Sequence, residues 1–227
     1  MARMTWTPQQ GRHNAPIHSG YIPKLSFSDH QFCEHCQYDK QVAASHPTSA
    51  PRESSPLDLV HSDVCGPMPH QSLGGASYFL SFIDDSTRKV WAYPIRTKDW
   101  VFSIFPEFLA MVENQTGRKL KCLKTDNGGE FKSDEFVKFC RERGIRREYT
   151  TPYSPEQNGI AEHMNWTIQK RIVSMLQHFG LSDGFWAEAL HTAVHIINMS
   201  PSRPLELKIP QEIWTGSKPS YDKLRIF

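Results

Sequence analysis

Between Leu57 and Tyr149 the apolar period of the chain switches repeatedly between two and about 3.6, and few architectures accommodate that order. "LDLVHSDV" (Leu57 to Val64) alternates apolar and polar residues as a half-buried strand does, then meets the breaker "CGPMP". "SYFLSFIDD" and "KVWAYPI" are aromatic and β-branched runs around an Asp/Ser/Thr/Arg turn, which predicts a hairpin capped by Asp84 and Asp85. Three antiparallel strands follow from this. "WVFSIFPEFLAMVENQTG" spaces Val101, Phe105, Phe108, Leu109 and Val112 at helical intervals and stops at Gly117, while Pro106 predicts a kink or a late start. "KLKCLKTD" reads as a strand, "SDEFVKFCRERG" as a helix capped by Ser133, and "IRREYT" as a last short strand. The order β-β-β-α-β-α-β predicts an α/β fold, a mixed sheet with helices on its faces.

Two further helices are expected. Gly159 to about Phe179 places Ile160, Met164, Ile168, Ile172 and Met175 three or four apart, and "GFWAEALHTAVHIINMS" is apolar over a broad face. His191 and His195 lie on that second helix and are read as core packing. Upstream, residues 1–44 are irregular and polar, 45–56 form a Pro/Ser/Thr-rich linker, 57–200 hold the packed domain, and 201–227 form an extension. With 26 Lys and Arg against 24 Asp and Glu the net charge is only +2, so total charge indicates no polyanionic partner; "RERGIRRE" and "QKR" are locally basic. No apolar run approaches the roughly 18 residues of a membrane span, and the N-terminus lacks the apolar region of a secretory signal, so an intracellular protein without membrane contact is expected.

Acids inside strand-like runs need a reason, because strands disfavour Asp and burying an unpaired carboxylate is costly. Asp63 sits in the first strand and Asp126 closes the fourth; if those strands are neighbours, their carboxylates converge at one edge within reach of Glu162. Such a cluster repels itself unless a cation sits in it, and hard oxygen ligands suit Mg²⁺ or Mn²⁺. Strand-end Asp residues also simply start turns, as "TDNGG" could, and in a chain with 24 acids that alternative stays open. "PYSPEQNG" has the same ambiguity: Gln157 and Asn158 can contact phosphate or base edges, or Asn158 can cap the next helix.

"LDLVHSDVCGPM", "YFLSFIDDSTRKVWAY", "KTDNGGEF", "PYSPEQNGIAEHMN", "FWAEALHTAVHIIN" and "WTGSKPSYDKLRIF", in that order, resemble the integrase core of copia-type LTR retrotransposon polyproteins. The resemblance implies an RNase H-like fold and an Asp-Asp-Glu triad with 35 residues between the second Asp and the Glu, the number between Asp126 and Glu162. It implies that Asp63, Asp126 and Glu162 are catalytic ligands of Mg²⁺ or Mn²⁺, that the reaction is DNA strand transfer, that Gln157, Asn158, Gly159, Trp166 and Lys170 meet DNA, and that the active form is a nuclear homo-oligomer. The family also carries an N-terminal His-His-Cys-Cys zinc module. Here Cys33 and Cys36 supply half of a tetrahedral Zn²⁺ site, but His18 precedes Cys33 by a gap of only 14 residues, so free thiols or zinc shared with another chain remain open.

Two positions depart from the pattern: His163 and Trp166 stand where the family carries Arg. Each is one C-to-T transition from an Arg codon, which, with the chain's start and stop, leads to the expectation of a degenerate copy or fragment. Two rivals follow, a silent DNA-binding or interaction relic and an RNase H-type nuclease.

Overall fold

The computed structural model describes residues 55–149 and 159–221. Five strands, β1 (Val60–Cys65), β2 (Tyr78–Asp84), β3 (Val90–Ile95), β4 (Cys122–Thr125) and β5 (Arg146–Tyr149), make one sheet in the order β3-β2-β1-β4-β5. β1 to β3 form an antiparallel meander, whereas β4 pairs parallel to β1 and β5 parallel to β4. Parallel neighbours need long crossovers, and α1 (Trp100–Thr116) and α2 (Asp134–Glu142) provide them. α3 (Gly159–Phe179), α4 (Trp186–Met199) and the short α5 (Pro210–Thr215) follow. The element order is the predicted one, and the chain is an α/β protein with a mixed sheet.

Strand alternation divides the interior in two. Leu80, Phe82 and Ile95 pack with Phe105, Phe108, Leu109 and Phe136 of α1 and α2 on one face, while Phe79, Ile83 and Val90 pack with α3 and α4 on the other. Phe82 stacks on Phe108 with centroids 4.0 Å apart. α1 begins at Trp100, well before Pro106, so its start is not late and the carbonyl of Phe102 lacks its helical amide partner. Gly117 ends it with φ 65°, a left-handed conformation that Gly adopts without a Cβ penalty. Ser133 caps α2 by accepting from the Phe136 amide.

Several local readings change. β1 starts at Val60, because Leu57 adopts φ 65° and donates its amide to Asp84 Oδ2 at 2.8 Å, making a turn ahead of the strand. Asp84 does cap the hairpin, its Oδ1 accepting from the Thr87 amide and the hydroxyls of Thr87 and Ser86. Asp85 Oδ1 lies 3.0 Å from Arg88 Nη1 within the same turn and 3.2 Å from His61 Nε2. On α3 the buried stripe is Ala161, Asn165, Ile168, Ile172 and Leu176, one position round from the sequence expectation at three of five places, with Ile160, Met164 and Met175 half-buried. That rotation turns Asn165 towards the sheet.

His191 and His195 are not core residues. Both are exposed, because α4 buries its Trp186, Ala189, Leu190, Ala193 and Ile197 side instead. The stretch beginning at residue 201 packs back on the domain, with Trp214 edge-on to Trp91 at 4.8 Å and its indole N–H donating to Gln115 Oε1. Among the described residues no helix is long and apolar enough to cross a membrane.

Phe82 bridges β2 and α1 at the centre of the larger cluster. Phe82→Ala is expected to cost about 3–5 kcal/mol through lost burial and the cavity left behind, measured by urea unfolding. A loss below about 1 kcal/mol would mean that the stack is dispensable.

Candidate active site

β1 is the middle strand, and its pleat turns Asp63 and Cys65 to the face covered by α3. Two residues four apart on α3 meet them: Asn165 Nδ2 donates to Asp63 Oδ2 at 2.8 Å, and Gln169 Nε2 to Cys65 Sγ at 3.1 Å. Strand and helix are therefore locked in register at the acid. β4, the parallel neighbour of β1, ends at Thr125 and delivers Asp126 immediately beyond it. Asp126 Oδ1 accepts from the Gly128 amide at 3.0 Å, an Asx-type turn that fixes the carboxylate while using one of its oxygens.

Gly128 has an ordinary φ of −55°, so its significance lies in what surrounds it. A Cβ there would stand 2.7 Å from the Glu130 carboxylate and 2.9 Å from Asp126 Oδ1. Glu130 thus brings another carboxylate beside Asp126, and Lys98 Nζ closes on it at 3.1 Å. The Lys98 ammonium is held above its ordinary pKa, first by the hydrogen bond to Glu130 and also by the charges of Glu130 and Asp126.

Asp63 records its burial and the negative charge around it. Its pKa rises from 3.8 to about 6, first through burial, then through the charge of Asp126, with Glu162 adding to it, while the hydrogen bonds from Asn165 and the Val64 backbone oppose the rise. Cys65, two residues on, is pushed up to about 12 by burial and the charge of Asp63, and so remains a neutral thiol. Glu162 is exposed on the first turn of α3. As the side chains stand, no three His, Cys, Asp or Glu among the described residues are gathered closely enough to hold an ion. Asp63 and Asp126 are anchored, whereas Glu162 shows no side-chain anchor among the described residues.

The donor chemistry fits a hard divalent cation. Burial first, and then the charges of Asp126 and Glu162, lift Asp63, and the oxygen Oδ1 of Asn165, a residue only 4% exposed, is buried beside them without a hydrogen-bond partner among the described residues. A cation bound by oxygen ligands relieves both.

Trp166, exposed and one turn beyond Glu162, carries Lys170 Nζ 3.8 Å from its ring centre and His163 at 5.9 Å. Gly159 opens α3. Gln157, Asn158, Cys33, Cys36 and most of the expected linker lie outside the described residues. Sequence reasoning missed Asn165, Gly128, Glu130 and Lys98. Asn165 lay outside the apolar stripe read from the sequence, which ran through Met164, and the roles of Gly128 and Lys98 depend on the folded loop.

The sheet order, its crossovers and the paired helices define an RNase H-like domain. The fold resembles that of the HTLV-2 integrase catalytic core domain in complex with magnesium, in its trimeric form, at TM-score 0.54 and 19% identity over 70% of this chain and 96% of that one. Residues 53–155 match the family described as the integrase core domain, rve. The chain is 50% identical over 195 residues to the retrovirus-related Pol polyprotein from transposon TNT 1-94 of Nicotiana tabacum, covering 86% of this chain. It is 30% identical over 229 residues to that from transposon RE1 of Arabidopsis thaliana, covering 98% of this chain. In each case it spans 15% of the polyprotein. Residues 53–155 therefore carry the integrase core domain, in a chain similar over most of its length to retrovirus-related Pol polyproteins of transposons.

A folded-state pKa raised above 3.8 means that the native protein binds more protons than the unfolded chain between about pH 4 and pH 6. Asp63 therefore supports the fold fully below that window and ceases to as pH rises through about 6. In EDTA at pH 7.5, Asp63→Asn is expected to be more stable than the parent by roughly 1–2 kcal/mol, the full shift being discounted for partial solvent screening. The difference should vanish near pH 4. Equal urea midpoints at both pH values would show that the carboxylate is not strained.

Proposed function

We propose that this chain is the catalytic core of a copia-type LTR retrotransposon integrase, which joins DNA by two-metal phosphoryl transfer. The observation that carries this reading is the Asp63 carboxyl, lifted to about 6 by burial and by the charges of Asp126 and Glu162, in a chain with the integrase core. Asp63, Asp126 and Glu162 are the ligands of Mg²⁺ or Mn²⁺, which when bound lower the cost of charge on the attacking and leaving oxygens. The magnesium complex and trimeric form of the HTLV-2 domain support the choice of metal and a homo-oligomer.

The chain's own contribution is positional. Asn165 holds Asp63 against the helix, the Gly128 amide fixes Asp126, and Glu162 completes the trio by turning inward from its exposed place on α3. Element ends and target DNA are the partners, in the nucleus, gripped by Gln157, Asn158, Gly159, Trp166 and Lys170. Lys170 supplies a phosphate contact, and Trp166 a face on which an unpaired base stacks. Cys33 and Cys36 are the candidate ligands of a Zn²⁺ site, with free thiols or zinc shared with another chain as the alternatives.

Full-chain protein incubated with oligonucleotides carrying element ends, a target duplex and Mn²⁺ should yield joined products, and Glu162→Gln should reduce them at least 100-fold. Joining that survives in Glu162→Gln would remove Glu162 from the chemistry. The second reading, a silent DNA-binding relic of a degenerate copy, has its own support in the open arrangement of the carboxylates and in Trp166. DNA binding without joining in Mn²⁺ would select it.

The DNA grip has a separate test. Trp166→Arg is expected to tighten binding and to steepen the dependence of log K on log salt by about 1, read by fluorescence anisotropy. An unchanged slope would place Trp166 away from phosphate.

A further inference from the structure

We propose that His191 and His195 form a two-imidazole site for a divalent transition metal ion, Zn²⁺, Cu²⁺ or Ni²⁺, on the solvent face of α4. Residues four apart on a helix lie one above the other, with Cβ atoms about 5–6 Å apart, so two imidazoles at that spacing can reach one ion. Both rings are exposed, and neither makes a hydrogen bond or an ion pair with a described residue. Their nitrogens are therefore available, unlike those of His61, which is buried and held against Asp85.

The scaffold is rigid where it matters. Ala189, Leu190 and Ala193, interleaved with the two histidines, are buried, and Asn198 further along the helix clasps β3 by accepting from the Val90 amide at 2.8 Å and donating to the Val90 carbonyl at 2.7 Å. The helix cannot easily rotate or unwind to separate the rings. Its charge also favours a cation: α4 contains no Lys or Arg, and its acid, Glu188, is exposed three residues before His191. Glu188 is not gathered with the pair as the side chains stand, so water fills the remaining positions or Glu188 swings in as a third donor. Imidazole nitrogen selects borderline transition metals over Mg²⁺, which prefers oxygen. The site shares no residue with the acids around Asp63, and the two should take up different ions.

The test uses untagged full-length chain in a Cys33→Ser/Cys36→Ser background, which removes the paired thiols, and Cu²⁺ as the probe. Calorimetry should count one Cu²⁺ fewer per chain in His191→Gln/His195→Gln, and the spectrum of bound Cu²⁺ should lose a set of nitrogen couplings. Asp63→Asn/Glu162→Gln should leave the Cu²⁺ count unchanged. His191→Gln alone, a surface exchange, should weaken the site at least about tenfold with an unaltered circular dichroism spectrum, and it decides the matter if the double variant does not fold. Equal counts and affinities with and without the two histidines would overturn the proposal.

Discussion

A carboxylate on the central strand of a sheet, covered by a helix, must be compensated or the strand cannot stay where it is. Asp63 is compensated by the Asn165 amide, and that hydrogen bond joins the middle of the sheet to the middle of α3. The other spatial relationships of the site depend on it. With α3 docked in that register, Gln169 meets Cys65 and Ala161 faces the core, while Glu162, the next residue along, points out of it. A helix rotated by one residue would bury Glu162 or remove Asn165 from Asp63.

The compensation is incomplete, which gives the site its character. Asn165 and the Val64 backbone both favour the ionised carboxylate, yet burial and two like charges outweigh them. A protein that needed only a stable strand would have neutralised the position, since an apolar side chain of similar volume carries no desolvation penalty. Asp126 is fastened by the Gly128 amide in a tight turn, and Glu130 is neutralised by Lys98 instead of adding freely to the repulsion. The chain thus holds two acids in place and balances a nearby one, while Glu162 has no side-chain anchor among the described residues.

The element order and the helix caps were legible because each rests on local chemistry. The 3.6-residue stripe of α1, Gly117 at its end and Ser133 at the start of α2 all follow from short-range rules. The rotation of α3 was not legible, since Ile160 and Met164 make as good an apolar stripe as Ala161 and Asn165 until the partner surface is known. The same limitation hid the exposed side of α4. His191 and His195 stand among Leu, Ala, Val and Ile, and the sequence does not reveal that the wide apolar arc stops short of them. For the acids, the sequence placed Asp63 in β1 and Asp126 at the end of β4; the parallel pairing that makes the strands neighbours comes from a crossover through α1, which local patterns do not encode.

The exposed surface beside Glu162 shows how a site can keep its acids and change its reach. Lys170 lies over the Trp166 ring at 3.8 Å, so the ammonium is partly engaged with an aromatic face. An arginine at position 166 would have added a fixed, always-charged fork to that surface, suited to two phosphate oxygens at once. Tryptophan brings area and stacking instead, and draws the neighbouring lysine onto itself. Under the proposed function this moves the interaction from phosphate neutralisation towards base stacking, which needs an unpaired base and is less screened by salt. Frayed or single-stranded ends would then be held relatively better than intact duplex, with the acids around Asp63 untouched by the change.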